Sequence, residues 1–197
     1  MSSVSETIVR EYFESHRFLV RQQRKSAPNS RREAAEVDFW VLNPDRPSGT
    51  ATLPPILSST DLPQIARAIV IVRAWHSETF GPGVLARQTD LARMLTATAL
   101  RKAARAFDGD GPLAKILVVS ALPQGEAARA KSIELLRSKG IDSVIPFKIM
   151  LADLVQSTEV NRNYQKSDLL QLIRVFKNYD LFKSAQMELF QDQRGSK

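Results

Sequence analysis

The sequence contains no cysteine. Disulfides and thiolate metal sites are therefore excluded, and nothing points to secretion. Histidine is scarce: His16 and His76 are far apart in the chain, and a lone histidine beside Trp75 more often packs than catalyses. Without cysteine or a nucleophile-elbow glycine motif, acyl-transfer chemistry is not expected. Gly81-Pro-Gly83 lacks the glycine-lysine-serine/threonine ending of a phosphate loop and reads as a turn. There is no dinucleotide fingerprint, internal repeat, low-complexity block or coiled-coil heptad. The longest apolar run, Ala68 to Val72, is far too short to span a membrane. The opening Met1-Ser-Ser-Val-Ser-Glu6 has neither a basic start nor an apolar core, so no signal peptide is expected. A cytoplasmic location and no membrane partner follow as expectations.

What is present is ordinary globular material. The 197 residues are 43% hydrophobic and 25% charged, enough to bury a core in one domain. Lysine and arginine number 28 against 21 acids, a net charge of +7. A polyanion such as nucleic acid suits that balance, and so does simple solubility.

Ser3-x-x-Glu6 has the form of a capping box ahead of Ile8, Val9, Tyr12, Phe13 and His16 at helical spacing, which predicts a helix over about 4–16. Phe18 to Arg24 reads as a partly exposed strand, and the polar residues 25–35 as a loop. Glu36 to Leu42 is β-branched and aromatic and predicts a second strand. Residues 43–66 carry Pro44, Pro47, Pro54, Pro55 and Pro63, so little regular structure is expected there beyond a turn near Asp61. A connection this long is often a lid or a contact arm. Ala68 to Val72 reads as a central strand buried on both faces and continued by Arg73 to Trp75. Residues 84–107 read as one helix with Leu91, Met94, Leu95, Leu100, Ala103, Ala104 and Phe107 inward. Lys115 to Val119 is another buried strand. A helix over 125–139 stops at Gly140. Ser143 to Phe147 is a short strand held near an edge by Pro146. Two further helices are expected, one on Phe147, Met150, Leu151 and Leu154 and one starting near Ser167. Trp40, Trp75 and Phe80 are expected to pack rather than to stack on bases.

Strand–helix–strand alternation in the second half implies parallel crossovers, whereas direct succession in the first half favours antiparallel pairing. The expected fold is α/β: a mixed sheet flanked by helices, in a single domain over 1–183. Its core covers about 4–147, a helical extension covers 148–183, and 184–197 form a loose tail.

The second strand carries Asp38, and the third ends Ile71-Val72-Arg73-Ala-Trp-His76. Helix, strand, strand, strand, helix, strand, with an acid on the second strand, resembles the PD-(D/E)XK, or restriction-endonuclease-like, nucleases over about 4–120. In that family a (D/E)xK triplet follows on the third strand and a glutamate on the first helix often joins it; Glu6 or Glu11 occupies that position here. Side chains at i and i+2 share one face of a strand, so the acid and lysine of the triplet meet over one phosphate. The acids hold magnesium, which activates water. In this chain Ile71 stands where the acid would be, and an alkyl group binds no cation. Arg73 stands where the lysine would be; it stays protonated and can clamp a phosphate but not act as a base.

Asp38 and Arg73 are therefore expected to pair directly in place of a metal, as vestiges of a catalytic site, with Glu6 as a third member. The resemblance then implies a catalytically inactive nuclease-like domain, needing no cofactor, that binds nucleic acid or a protein partner. The alternative is a divergent magnesium-dependent nuclease with relocated ligands: Glu36, at i−2 from Asp38, together with Glu6, Asp38 and Glu78. A third reading is a structural or self-associating domain, such as a homodimer, with no role on nucleic acid. Basic residues gather in three places: Arg17, Arg21, Arg24, Lys25, Arg31 and Arg32; Arg101, Lys102 and Arg105; and Arg162, Lys166, Arg174 and Lys177. Tyr164 and several amides interleave with the last group, which suits nucleic acid. Arg21, Arg24, Lys25, Arg162, Tyr164 and Lys166 are the expected binding residues.

Overall fold

The computed structural model describes residues 3–22, 37–45, 52–73, 76, 78–88, 91, 94–107 and 112–182. The chain divides into two compact units, residues 1–151 and 152–197. The helical extension expected from residue 148 thus forms most of a unit of its own, and the expected tail, 184–197, lies outside the described residues.

In the first unit α1 (Ser3–Ser15) leads to β1 (Leu19–Gln22), β2 (Phe39–Leu42) and, after a 3-10 helix (Ser59–Gln64), to β3 (Arg67–Arg73). Then come α2 (Pro82–Arg87), α3 (Ala97–Ala106), β4 (Ala114–Val119), α4 (Glu126–Ser138) and β5 (Ser143–Pro146). The five strands lie in the order β1-β2-β3-β4-β5. The first two pairings are antiparallel and the last two parallel, so the sheet is mixed, as the order of elements predicts. All seven residues of β3 are buried, which explains why its sequence runs apolar instead of alternating.

One face of the sheet presents Trp40, Ile69, Ile71, Leu117, Val119 and Val144 to a buried cluster. Phe80, Leu85 of α2, Leu91, Met94, Ala103 of α3 and Leu136 of α4 are among the residues that join it. Trp40 and Phe80 are thus core residues, as expected; Trp75 lies outside the described residues. Outside this cluster, α1 buries Val9, Tyr12 and Phe13 completely. Its Tyr12 hydroxyl meets Ser59 Oγ at 3.1 Å, joining the first helix to the 3-10 turn.

Two helices end in the same motif with different residues. At the end of α4, Gly140 N–H donates to the Arg137 carbonyl (2.9 Å) and Ile141 N–H to that of Leu136 (3.0 Å). Gly140 has φ +87°, which glycine tolerates and the motif demands. At the end of α1, Arg17 N–H donates to Glu14 (2.9 Å) and Phe18 N–H to Phe13 (3.0 Å). There the left-handed position, φ 65°, is held by Arg17, a residue with a Cβ. The Phe13 and Phe18 rings, edge to face at 5.5 Å, supply the apolar contact that closes the motif.

The helix expected over 84–107 is interrupted. α2 stops at Arg87, and Gln88 leaves helical geometry with ψ 79°. Its carbonyl accepts from Lys139 Nζ at 3.0 Å, so a cation from the end of α4 satisfies the freed group. The break was invisible because apolar spacing continues across it: Leu85, Leu91, Met94 and Ala103 are all buried.

The proline-rich segment is an edge cover. Leu57 N–H donates to the Val144 carbonyl and Val144 N–H to that of Pro55, both at 2.9 Å, and Ser143 Oγ donates to the Pro54 carbonyl at 2.8 Å. Residues 54–57 therefore occupy the outer edge of β5 and satisfy groups that an edge strand leaves open. The turn expected near Asp61 is the 3-10 helix, where Asp61 Oδ2 accepts from both the N–H (2.8 Å) and the hydroxyl (2.6 Å) of Ser58.

α5 (Phe147–Ser157) carries the chain into the second unit, which continues to α6 (Asp168–Asn178). Ser167 caps α6, its hydroxyl accepting from Leu170 N–H at 3.2 Å, where a helix start was expected.

Candidate functional site at the end of β3

The register of β2 on β3 places Phe39 opposite Val70 and Trp40 opposite Ile69. The ladder ends at the first of these pairs: Asp38, just before β2, donates its N–H to the Val70 carbonyl at 3.1 Å. Ile71 and Arg73, two apart on β3, share a face. Asp38 and Arg73 meet at the end of the strand pair.

Asp38 is 2% exposed and Arg73 8%. Arg73 Nη1 lies 3.7 Å from Asp38 Oδ2, an ion contact slightly longer than a direct hydrogen bond. The Val72 peptide is held between the two. Its N–H donates to Asp38 Oδ2 at 2.7 Å, and its carbonyl accepts from Arg73 Nη1 at 2.8 Å. Arg73 Nη2 approaches Met94 Sδ at 2.9 Å, which anchors the guanidinium from the helical layer. Met94 was expected only as part of a helix face; no local pattern marks a thioether as an arginine's neighbour.

The other expected members lie elsewhere. The Glu6 carboxylate accepts from Gln22 Nε2 on β1 at 2.7 Å. Glu78 is exposed, and its backbone carbonyl accepts from Ser120 Oγ. Glu11, the alternative helix acid, is 8% exposed. Glu36 lies outside the described residues. Among the described residues no three histidine, aspartate or glutamate side chains gather closely enough to hold a metal ion. A magnesium ion needs several oxygen ligands. Among the described residues the Asp38 carboxylate is met by the Val72 N–H and the fixed positive charge of Arg73, neither of which is an oxygen donor.

No protein-family model, curated protein or solved structure matches the chain.

The expected binding residues divide sharply. Arg21, opposite Trp40 on the neighbouring strand, lays its guanidinium over the indole ring at 5.2 Å. Arg24 and Lys25, with Arg31 and Arg32, lie outside the described residues. Arg101 and Arg105 are exposed on α3. In the second unit Arg162 stacks over Tyr164 at 5.5 Å, and the Tyr164 hydroxyl accepts from Glu159 N–H at 2.9 Å. Lys166 is exposed. Arg174 and Lys177 have an internal task. Lys177 Nζ donates to the carbonyls of Val155 (2.9 Å) and Thr158 (2.6 Å), and Arg174 Nε to that of Val160 (2.8 Å). They satisfy carbonyls at and beyond the C-terminal end of α5, where cations also suit the helix dipole.

Proposed function

We propose that the first unit is a restriction-endonuclease-like core whose metal position has become an ion pair, and that the chain binds nucleic acid without cutting it. The observation that carries this reading is the Arg73 guanidinium set 3.7 Å from the Asp38 carboxylate, with Ile71 two residues before Arg73 on the same face of β3. Helix, three strands in succession, helix and a parallel strand follow in the order that the resemblance requires. A buried aspartate needs compensation, and here a fixed cation supplies it. The net charge of +7 and the exposed Arg101, Arg105, Arg162 and Lys166 support a polyanionic ligand.

Purified protein, offered single- and double-stranded DNA and RNA with magnesium or manganese, is expected to bind and not to cleave. Affinity should fall steeply with salt as counterion release is lost. Metal-dependent cleavage abolished by Asp38→Ala would establish an active nuclease and overturn this reading. A second reading, a protein-binding domain, is favoured by one observation: Leu172, Val175 and Tyr179 form an exposed stripe along α6 and just beyond it. Absence of any nucleic-acid binding at low salt, together with a dimeric mass in solution, would favour it.

A further inference from the structure

At the opposite end of β3 from Asp38 and Arg73 lies a cleft of about 440 Å³. Six residues separate Arg67 from Arg73 along the strand, roughly 20 Å at about 3.3 Å per residue. The cleft is therefore independent of the ion pair and of the function proposed above. Its volume falls in the range of small-molecule sites, about 300–1,000 Å³.

Its walls combine two chemistries. Ile65, Leu113 and Ile141 make an apolar lining, and Arg67, Arg137 and Asp142 supply charge. Arg67 is 5% exposed, and its Nε donates to the Pro112 carbonyl at 3.3 Å, which sets the guanidinium in the wall. The motif at the end of α4 fixes the opposite side, because Arg137 and Ile141 belong to the residues that close that helix. Asp142, the one acid among the described lining residues, is already engaged. Its Oδ2 accepts from Lys115 N–H at 2.8 Å, and its Oδ1 lies 3.2 Å from Lys115 Nζ. Lys115 offsets that charge, and Arg67 and Arg137 bring two cations to the same cleft. Guanidinium groups match the planar or tetrahedral oxygens of carboxylates and phosphates.

The geometry points to a binding site for a small organic anion: an oxyanion held by Arg67 and Arg137, carried on a flat or apolar body packed against Ile65, Leu113 and Ile141. A phosphate ester of mononucleotide size and an aromatic carboxylate share this chemistry.

Calorimetric titration of the full chain with adenosine monophosphate, phenyl phosphate and benzoate tests the assignment, with adenosine and inorganic phosphate as half-ligands. Saturable binding of at least one of the three anions is expected, and the winner identifies the source of the oxyanion. Adenosine and inorganic phosphate should each bind at least about tenfold more weakly than the best anion. Arg137 is exposed, so Arg137→Ala should fold normally and weaken that anion at least about tenfold, the loss expected for a charge-assisted contact. Lys131→Ala, an exposed cation on the same helix outside the cleft, should leave affinity unchanged. Hydrogen exchange should slow at residues 112–114 and 137–142 on binding. Failure of all three anions to saturate at millimolar concentration would overturn the assignment. So would binding indifferent to Arg137→Ala, or equal affinity for adenosine and its monophosphate.

Discussion

Replacing Asp38 by alanine removes one half of a buried ion pair and leaves the other half in place. At 3.7 Å and an effective dielectric constant of about 20, the attraction is about 4–5 kcal/mol before desolvation is counted. Desolvation of both groups offsets much of that, so the intact pair contributes little net stability. Its rupture is different. Asp38→Ala takes the nearby carboxylate from a guanidinium that is 8% exposed and removes the 2.7 Å acceptor of Val72 N–H. The expected loss is about 3–5 kcal/mol. Arg73→Met, similar in length, leaves the carboxylate buried and should cost a comparable amount. The double variant should lose much less than the sum, with a coupling of about 2 kcal/mol or more. Urea unfolding followed by circular dichroism measures all three, provided the m value is unchanged. Asp38→Asn separates the two contributions, because it keeps an acceptor for Val72 and removes only the charge. A loss below about 1 kcal/mol for Asp38→Ala, or additivity within about 0.5 kcal/mol, would refute the coupling.

Four further outcomes follow from other parts of the molecule. Arg17→Gly relieves a left-handed residue at the end of α1 and should stabilise the chain by about 1 kcal/mol in thermal unfolding, whereas Gly140→Ala, at φ +87°, should destabilise by a similar amount. Lys177→Met removes two hydrogen bonds to carbonyls and should cost about 1–3 kcal/mol, with faster amide exchange confined to the second unit. Asp61→Ala removes the acceptor of the Ser58 amide and leaves its hydroxyl only Thr60 Oγ1, and should cost about 1 kcal/mol in the same unfolding assay. Glu14 lies at the surface, yet partial desolvation and then the charge of Glu11 push its carboxyl above the usual range, against the pull of Arg10. A raised carboxyl favours the native state when protonated, so its penalty grows as pH rises through the carboxylate range. Glu14→Gln should therefore stabilise at pH 7, with the gain vanishing below the ordinary value of 4.5; a gain that persists in acid would contradict this.

Much of the fold was legible because local signals were strong. An uninterrupted apolar run marked β3, Gly140 marked the end of α4, and Ser167 marked the start of α6. The interruption after Arg87 was hidden, since the buried face continues on both sides of it. The proline-rich connection was recognisable as irregular, but its pairing with Val144 depends on strands far away in sequence. At the candidate site the residue types were legible and their meeting was not. The β2–β3 ladder ends at Phe39 opposite Val70, and Asp38 beyond it turns its carboxylate onto the Val72 N–H, a contact that no local pattern announces. Lysine and arginine side chains were the least legible. Arg174 and Lys177 belong to the basic group that suits nucleic acid in sequence, and in the structure they donate to carbonyls at and beyond the end of α5, a role their residue type does not announce. The cleft between Arg67 and Arg137 left no local signature, since its two cations come from a strand and a helix 70 positions apart in sequence.

The strap over β5 makes the sheet one-sided as a template. On that flank the backbone groups are already claimed by the chain itself, through Pro55 and Leu57. On the other flank β1 pairs only with β2 among the described residues, and Leu19 there is 60% exposed. Any incoming strand from a second molecule therefore meets an occupied edge at β5, and among the described residues the rim left for it is that of β1.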